Sequence, residues 1–443
     1  MRKNITNAAY GALDYASYPV GMLLVAPIIL HRLGTAEYGL WMVATSVVSA
    51  GGIIASGFAD AGIQQIAKLR GEGNTTSMEA TVGSLSAIHL VLGSALALLA
   101  WWTAPFAAHR LALHHDVSFS ECITCLRIAS AAILVRAMEA VPVSVQRAFE
   151  EYRGTVSVSV AVRLLTLGAA AILAAQGGRV VSIMVLTLFC LAAGTFFQFL
   201  YLRRWVKPAA AFPGVGRQEM RALFSSGIFV WIQAVSSVLF RQFDRILLGL
   251  SLGAAVVAPY SLSIQISEPL FGLTASSLSF FFPYLAARAA SLSPEALKTT
   301  VHKAFALNLS LITVGAALLL GFGEAIMRAW AGSEIAHSSS HILPLIVMGS
   351  AFSGLSVVGT YGAQALGMFR IVAFISVLSR CALLMLMMYL LHHRGVIGLA
   401  AARLCYGAAS LSVYFPLTRR LSVLSETGFP IAPVGRLRQE GQL

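Results

Sequence analysis

Apolar residues recur along this chain in blocks of about twenty, separated by short polar stretches that carry much of the Lys and Arg. Twenty residues is roughly the length needed to cross the hydrocarbon of a bilayer as helix. Twelve such blocks are found, at 8–29, 38–58, 81–104, 122–144, 155–175, 180–202, 222–243, 254–275, 304–323, 342–362, 371–391 and 396–417. They lack the alternation and the roughly ten-residue length of membrane strands, which excludes a barrel. Helices satisfy their own backbone groups in lipid, so the pattern predicts an all-α integral membrane protein with about twelve transmembrane helices.

The polar breaks divide the chain. The longest, 203–221, contains Pro208, Pro213, Gly214 and Gly216 and separates six spans from six. We therefore expect two six-helix lobes, 1–207 and 222–420, joined by a cytoplasmic linker at 208–221 and followed by a cytoplasmic tail at 421–443. A short repeat supports the division. Leu33-Gly34 precedes Tyr38-Gly39-Leu40 after the first span, and Leu252-Gly253 precedes Tyr260-Ser261-Leu262 after the seventh. Parallel repeats are one way of building a secondary transporter.

Composition agrees with a membrane chain: 58% of the 443 residues are hydrophobic and 11% are charged. The net charge of +13 would suggest nucleic acid in a soluble chain. No zinc-finger spacing, RNA-binding signature or basic helix interleaved with aromatics accompanies it. The basic residues sort by side instead, with 19 on the side of the amino terminus, 7 on the other and five inside spans. By the positive-inside rule both termini are expected in the cytoplasm. The first span follows Arg2 and Lys3, carries Asp14 and two prolines, and is full length, so it is expected to be retained rather than cleaved. Cys122 and Cys125 form a C-x-x-C without a thioredoxin-like context and are expected to be small packing residues on one helical face, as are the remaining cysteines.

The five intramembrane arginines, Arg127, Arg136, Arg163, Arg380 and Arg403, carry the chemistry. A guanidinium in hydrocarbon is costly enough that it normally faces a wet cavity or a partner. Its planar fork bonds phosphate oxygens in pairs, so these arginines are the candidate binding residues for an anionic cargo. Arg136 and Arg163 each lie eight residues from the inner end of their spans, roughly 12 Å along the axis, and share a depth. Arg127, nine residues before Arg136, points to the other side of a straight helix. Arg380 is central in the eleventh span and Arg403 lies in the outer half of the twelfth.

Asp14, Glu139 and Glu268 are candidates for ion coupling. A membrane carboxylate can exchange a proton or bind sodium, and moving one charge across 100 mV is worth about 2.3 kcal/mol. Glu139 is three residues from Arg136 on the same face, so the two either fix packing as an ion pair or belong to the site. Glu268 adjoins Pro269, where a missing backbone bond leaves room for water; Arg380 either reaches the cargo or pairs with Glu268. Arg241, Asp244 and Arg245 are read as a half-solvated cluster ending the seventh span, either an outer gate or a headgroup anchor. His114, His115, His392 and His393 fall in loops and are assigned no role.

Several strings carry a family resemblance. IILHRLGTAEYGLW from Ile28 to Trp41, then GFADAGIQQIAK from Gly57 to Lys68, resembles the amino-terminal region of bacterial polysaccharide-export flippases of the O-antigen type. MRALFSSGIFVWIQAVSSVLFRQFDRILLGLSLG, from Met220 to Gly253, resembles the family's seventh helix, with Gln233 and an Asp before an apolar, Gly-ended run. PYSLSIQI from Pro259 and FFPYLAAR from Phe281 continue the likeness. The resemblance implies two lobes set in a V around a central cavity. It further implies alternating access that carries an undecaprenyl-pyrophosphate-linked oligosaccharide, an O-antigen or exopolysaccharide repeat unit, across the bacterial inner membrane. H+ or Na+ would be the coupling ion, with no metal and no other cofactor. The protein is expected to act as a monomer beside a polysaccharide polymerase and chain-length proteins.

Two other functions compete with this reading. A multidrug cation antiporter on the same scaffold would favour carboxylates, whereas five arginines here face three acids within the spans. A membrane polymerase or ligase needs a catalytic loop, but the longest outward segments, about 105–121 and 324–341, hold no paired acid and base at a convincing spacing. No P-loop is present, so ATP hydrolysis and enzymatic chemistry are not expected.

Overall fold

The computed structural model describes residues 2–113, 116–278, 281, 284–285 and 293–427, with side chains from Ser17 onward apart from scattered positions. Among the described residues there is no strand. The helices are α1 (Arg2–Ala55), α2 (Ala59–Gly71), α3 (Thr75–Ala112), α4 (Phe119–Ala148), α5 (Tyr152–Ala175), α6 (Val180–Leu202), α7 (Arg217–Arg241), α8 (Phe243–Leu252), α9 (Val257–Ser277), α10 (Pro294–Ala331), α11 (Ser333–Ser339), α12 (Leu343–Ala365), α13 (Phe369–Ser410) and α14 (Tyr414–Thr427).

Eight stretches among the described residues are long and apolar enough to cross a membrane. Two of these, Ser17–Gly71 and Ile371–Val423, are double length. Gly34 (φ 77°, ψ 173°) breaks α1 and Gly395 (φ 57°, ψ −139°) breaks α13, so each long helix contains two of the expected spans. With α7 and α9, all twelve expected spans have a helix. The apparent loops at 105–121 and 324–341 are mostly helical, because α3 runs on to Ala112 and α10 to Ala331. Residues 428–443 of the expected tail, and His114 and His115, lie outside the described residues.

The Leu-Gly repeat has a conformational meaning. Gly253 (φ 89°, ψ 170°) ends α8 in nearly the conformation of Gly34, a region that a Cβ disfavours. Each glycine is followed by a tyrosine with no exposed surface, Tyr38 four residues on and Tyr260 seven residues on. Helix starts are set by short-range chemistry. Ser118 caps α4 by accepting from the Glu121 N–H (3.3 Å), and its hydroxyl donates to the Glu121 carboxylate (3.0 Å). Ser293 caps α10 with Pro294 in its first turn.

Packing divides the chain into two compact units, Met1–Ser261 and Leu262–Leu443, with the boundary inside α9. In the first unit α7 and α8 lie against α1. The Trp231 indole N–H donates to the Ile54 carbonyl (2.9 Å), the Phe58 and Phe224 rings meet edge to face at 5.0 Å, and Gly39 passes the Ala254 carbonyl without room for a side chain. A core of Phe58, Ile66, Val82, Leu85, Val145, Leu202 and Leu223 fills this unit near the short α4–α5 turn. The second unit has its own core around Leu285, Leu297, Val358, Leu417 and Leu421. Within lipid such cores gain little from the hydrophobic effect, since acyl chains are equally apolar, and close packing and internal hydrogen bonds hold them instead.

One such network joins three helices. Gln146 on α4 donates to the Gln198 side chain on α6 (2.6 Å) and accepts from the Thr155 hydroxyl on α5 (2.8 Å), while Gln198 donates to the Thr155 carbonyl (3.2 Å). Gln146 and Gln198 have no exposed surface, so removing one member strands the others. Gln146→Leu is expected to cost roughly 1–3 kcal/mol, read as a lower melting temperature in detergent. Gly39→Val is expected to destabilise by about as much through overpacking. Gly321→Ala, where an added Cβ meets nothing within 4 Å, should leave melting unchanged or slightly raised.

Candidate functional site

The site begins with α1 against α5. Leu167 of α5 fills the space beside Gly21 of α1, at 2.7 Å from where a Cβ would stand. One turn earlier on both helices, the Arg163 guanidinium donates to the Ser17 hydroxyl at 3.1 Å. Equal steps on both helices mean that the two segments run parallel, and they bring Arg163 onto α1. Ser17 is buried and Arg163 half-buried. Asp14 lies one turn before Ser17 in α1; its side chain falls outside the described residues.

The second half of α1 carries the companion arginine. Gly52 lies against the stem of Arg136, whose Cβ is 3.1 Å from where a Gly52 Cβ would be. Arg136 donates to Glu139 at 2.8 Å, so the ion pair anticipated at this spacing forms. Its two ends are unequal: the Arg136 side chain is 36% exposed and the Glu139 side chain 13%. The carboxylate is enclosed and the guanidinium keeps open N–H donors. Arg136 is twelve residues from the end of α4, about 18 Å, and Arg163 eleven from the start of α5, about 16 Å. The turn between those two ends is three residues, so the arginines share a level near mid-helix. Their helices outrun the apolar blocks by four and three residues, so within the blocks themselves both arginines remain roughly 12 Å from the edge, as expected.

Arg127 is not part of this arrangement. Nine residues from Arg136, it faces α3, where its guanidinium stacks 4.8 Å above the Trp101 ring. Its Nε is buried without a hydrogen bond, a state the ring quadrupole partly offsets. In the second unit Arg380 and Arg403 are half-buried, one on each side of the Gly395 bend, and both are engaged by neighbours. The Arg403 carbonyl lies 3.0 Å from where a Gly349 Cβ would be, at a close crossing of α12 and α13. Glu268 is exposed on α9 beside Pro269.

The cluster expected at Arg241, Asp244 and Arg245 needs correction. The helix stops at Arg241, Gln242 leaves the helical region (φ −125°, ψ −27°), and Phe243 starts α8. Asp244 is fully buried rather than half-solvated, accepting from the Tyr260 hydroxyl (2.9 Å) and the Arg245 N–H (2.8 Å). Arg245 is half-buried, and the Arg241 side chain lies outside the described residues.

A further ionic cluster escaped the sequence reading. At the far ends of α4 and α6, Arg179 bonds Glu37 (3.1 and 3.2 Å) and Glu121 (2.6 Å), while Glu37 also accepts from the Val180 N–H at the start of α6 (2.9 Å). The Glu37 hydrogen bond and charge, then Glu121, raise the Arg179 pKa above its ordinary value. With Asp116 these residues line a recess of about 510 Å³. The Ser118-x-x-Glu121 spacing at a helix start was a legible signal for one member; Glu37 and Arg179, 142 residues apart, gave none. Among the described residues no group of His, Cys, Asp and Glu is arranged to hold a metal ion. Cys122 and Cys125 are both buried and unbonded on one face of α4.

Comparison with known proteins extends these findings. The model of a family described as polysaccharide biosynthesis protein matches residues 8–289. The membrane protein EpsK of Bacillus subtilis (strain 168) is 28% identical over 137 residues; the match covers 31% of this chain and spans only about a quarter, 26%, of that relative. Among solved structures, the lipid II flippase MurJ in an inward closed conformation superposes with a TM-score of 0.74 at 13% identity, over 97% of this chain and 94% of that one. An inward-facing multidrug resistance MATE family transporter of the MOP superfamily gives 0.72 at 15% identity, over 94% and 100%. At such identities the likeness is one of fold, and it agrees with the all-α, many-span architecture expected from the hydropathy pattern. Matched through well over half its length and sharing the fold of MOP-superfamily transporters, this chain belongs to the polysaccharide biosynthesis protein family.

Proposed function

We propose that the protein is a flippase that moves an undecaprenyl-pyrophosphate-linked oligosaccharide, an O-antigen or exopolysaccharide repeat unit, across the bacterial inner membrane by alternating access. The observation that carries this reading is the pair Arg136 and Arg163, held against the two halves of α1 at one level near mid-helix. Two guanidinium forks at that depth suit a pyrophosphate, and family membership supports a glycan cargo. Arg127, Arg380 and Arg403 are assigned to the path of the headgroup. Asp14, Glu139 and Glu268 are assigned to coupling with H+ or Na+. Arg241, Asp244 and Arg245 are assigned to a gate, with the sealed Asp244–Tyr260 bond as its fixed element.

The 19-to-7 charge bias supports both termini in the cytoplasm. The segments 1–207 and 222–420, joined by 208–221, are proposed as the rocking bodies, in a monomer that works beside a polysaccharide polymerase and chain-length proteins. The excess of intramembrane arginines over acids weighs against a multidrug cation exporter on this scaffold.

Deleting the gene should accumulate a lipid-linked repeat unit on the cytoplasmic leaflet. On complementation, Arg163→Ala should lower export at least about tenfold, as loss of a charge-assisted contact implies. Arg163→Lys should retain an intermediate rate, since a single ammonium cannot reproduce the fork. Full export from both variants would remove Arg163 from the site. Asp14→Asn should abolish the response of export to an imposed ion gradient while leaving headgroup binding intact.

A further inference from the structure

We infer that the segment from Arg203 to Arg217 is a membrane-surface anchor that seats the adjoining end of the first unit on anionic phospholipid headgroups. The inference rests on the membrane reading and not on the identity of the cargo.

Depth is the first ground. The apolar span of α3 begins near residue 81, and the segment is pinned beside it. The Gly214 N–H donates to the Gly83 carbonyl (3.1 Å), the Gly216 N–H donates to the Ser84 hydroxyl (3.2 Å), and Lys207 pairs with Glu79 at 3.8 Å. These ties hold the segment where headgroups meet hydrocarbon. Phe212, 72% exposed, and Val215, 80% exposed, project from this pinned stretch. Leu202, Val206 and Leu223 nearby are buried, so Phe212 and Val215 stand out from a packed base.

Charge and aromatic placement supply the occupant. Arg203, Arg204, Lys207, Arg217 and Arg221 are all exposed around these side chains. Arg204 stacks on Tyr201 (4.3 Å), Tyr201 meets Trp205 (5.1 Å), Trp205 meets Phe149 (5.8 Å), and Arg70 covers Phe149 (5.3 Å). A ladder of rings capped by two guanidinium groups matches the headgroup layer, where amphipathic aromatics settle and cations meet phosphate. The second unit carries the same combination independently. Phe415 on α14 is 73% exposed and is followed by exposed Arg419 and Arg420, while Leu417 and Leu421 are buried.

The test places p-benzoylphenylalanine at Phe212 in the otherwise native chain, reconstituted without cargo in vesicles of phosphatidylcholine alone or with phosphatidylglycerol. Irradiation should crosslink the residue to phospholipid, with a yield about fivefold or more higher when phosphatidylglycerol is present, as one cation near an anionic surface implies. Arg204→Gln combined with Lys207→Gln should remove most of that difference. Crosslinking only within the protein, or equal yields in both vesicles, overturns the anchor. A second readout uses Val215→Cys bearing a spin label, with Cys190, Cys381 and Cys405 replaced by Ser. Oxygen dissolved in the bilayer should relax the label more than an aqueous nickel chelate, and the reverse order also overturns it. Either result stands whether or not Arg163 substitutions affect export.

Discussion

A guanidinium carried into hydrocarbon must be compensated locally, and that requirement organises the first unit. Three arginines in α4 and α5 meet it through different contacts. Arg127 lies on a ring, Arg136 holds an acid of its own helix, and Arg163 reaches a hydroxyl of α1. The ring contact and the short-range ion pair are available to an isolated helical hairpin. The Ser17 contact exists only once α1 has packed against α5, so it ties the charge to the tertiary fold. Replacing all three by leucine would satisfy the bilayer equally well and at lower cost. For Arg136 and Arg163, the proposed anionic cargo would account for that cost.

Holding two such groups at one level demands rigid supports, and these lie where α4 and α5 join. The turn of three residues between them leaves little freedom in register, and the Gln146–Thr155–Gln198 network locks α4, α5 and α6 together just beyond it. Arg70 adds a bond to the Ala148 carbonyl at the end of α4 (3.0 Å). At the opposite end Glu37 and Glu121 grip Arg179. Fixed at both ends, the helices carry Arg136 and Arg163 as a pair rather than as independent charges.

What could be read from sequence follows the range of the interaction. Spans were legible because the bilayer dictates their length, and the common depth of Arg136 and Arg163 was legible because helical rise is constant. The 100° rotation per residue placed Arg127 on another face, where Trp101 receives it. The break at Gln242 was not legible: the run FRQFDR contains neither Gly nor Pro, and α8 is set by packing, with Gly249 against Val43. Burial of Asp244 depends on Tyr260, sixteen residues away, and the Arg163–Ser17 contact joins residues 146 apart. No local pattern encodes such pairings.

The level of the two arginines has a further consequence for the proposed cargo. A pyrophosphate starts in the headgroup layer and must reach the opposite one while its polyprenyl tail stays in lipid. The hydrocarbon is about 30 Å thick, so the barrier to a bare anion peaks about 15 Å in. Arg136 and Arg163 lie eight residues, roughly 12 Å, inside their apolar blocks, most of the way to that maximum. A site nearer either surface would bind the headgroup where water already solvates it and would leave the worst of the path uncompensated. Cations placed that deep would instead lower the free energy of the state that limits crossing of the proposed cargo, more than that of the bound state at either face. Differential stabilisation of this kind speeds passage, whereas equally tight binding along the whole path would not.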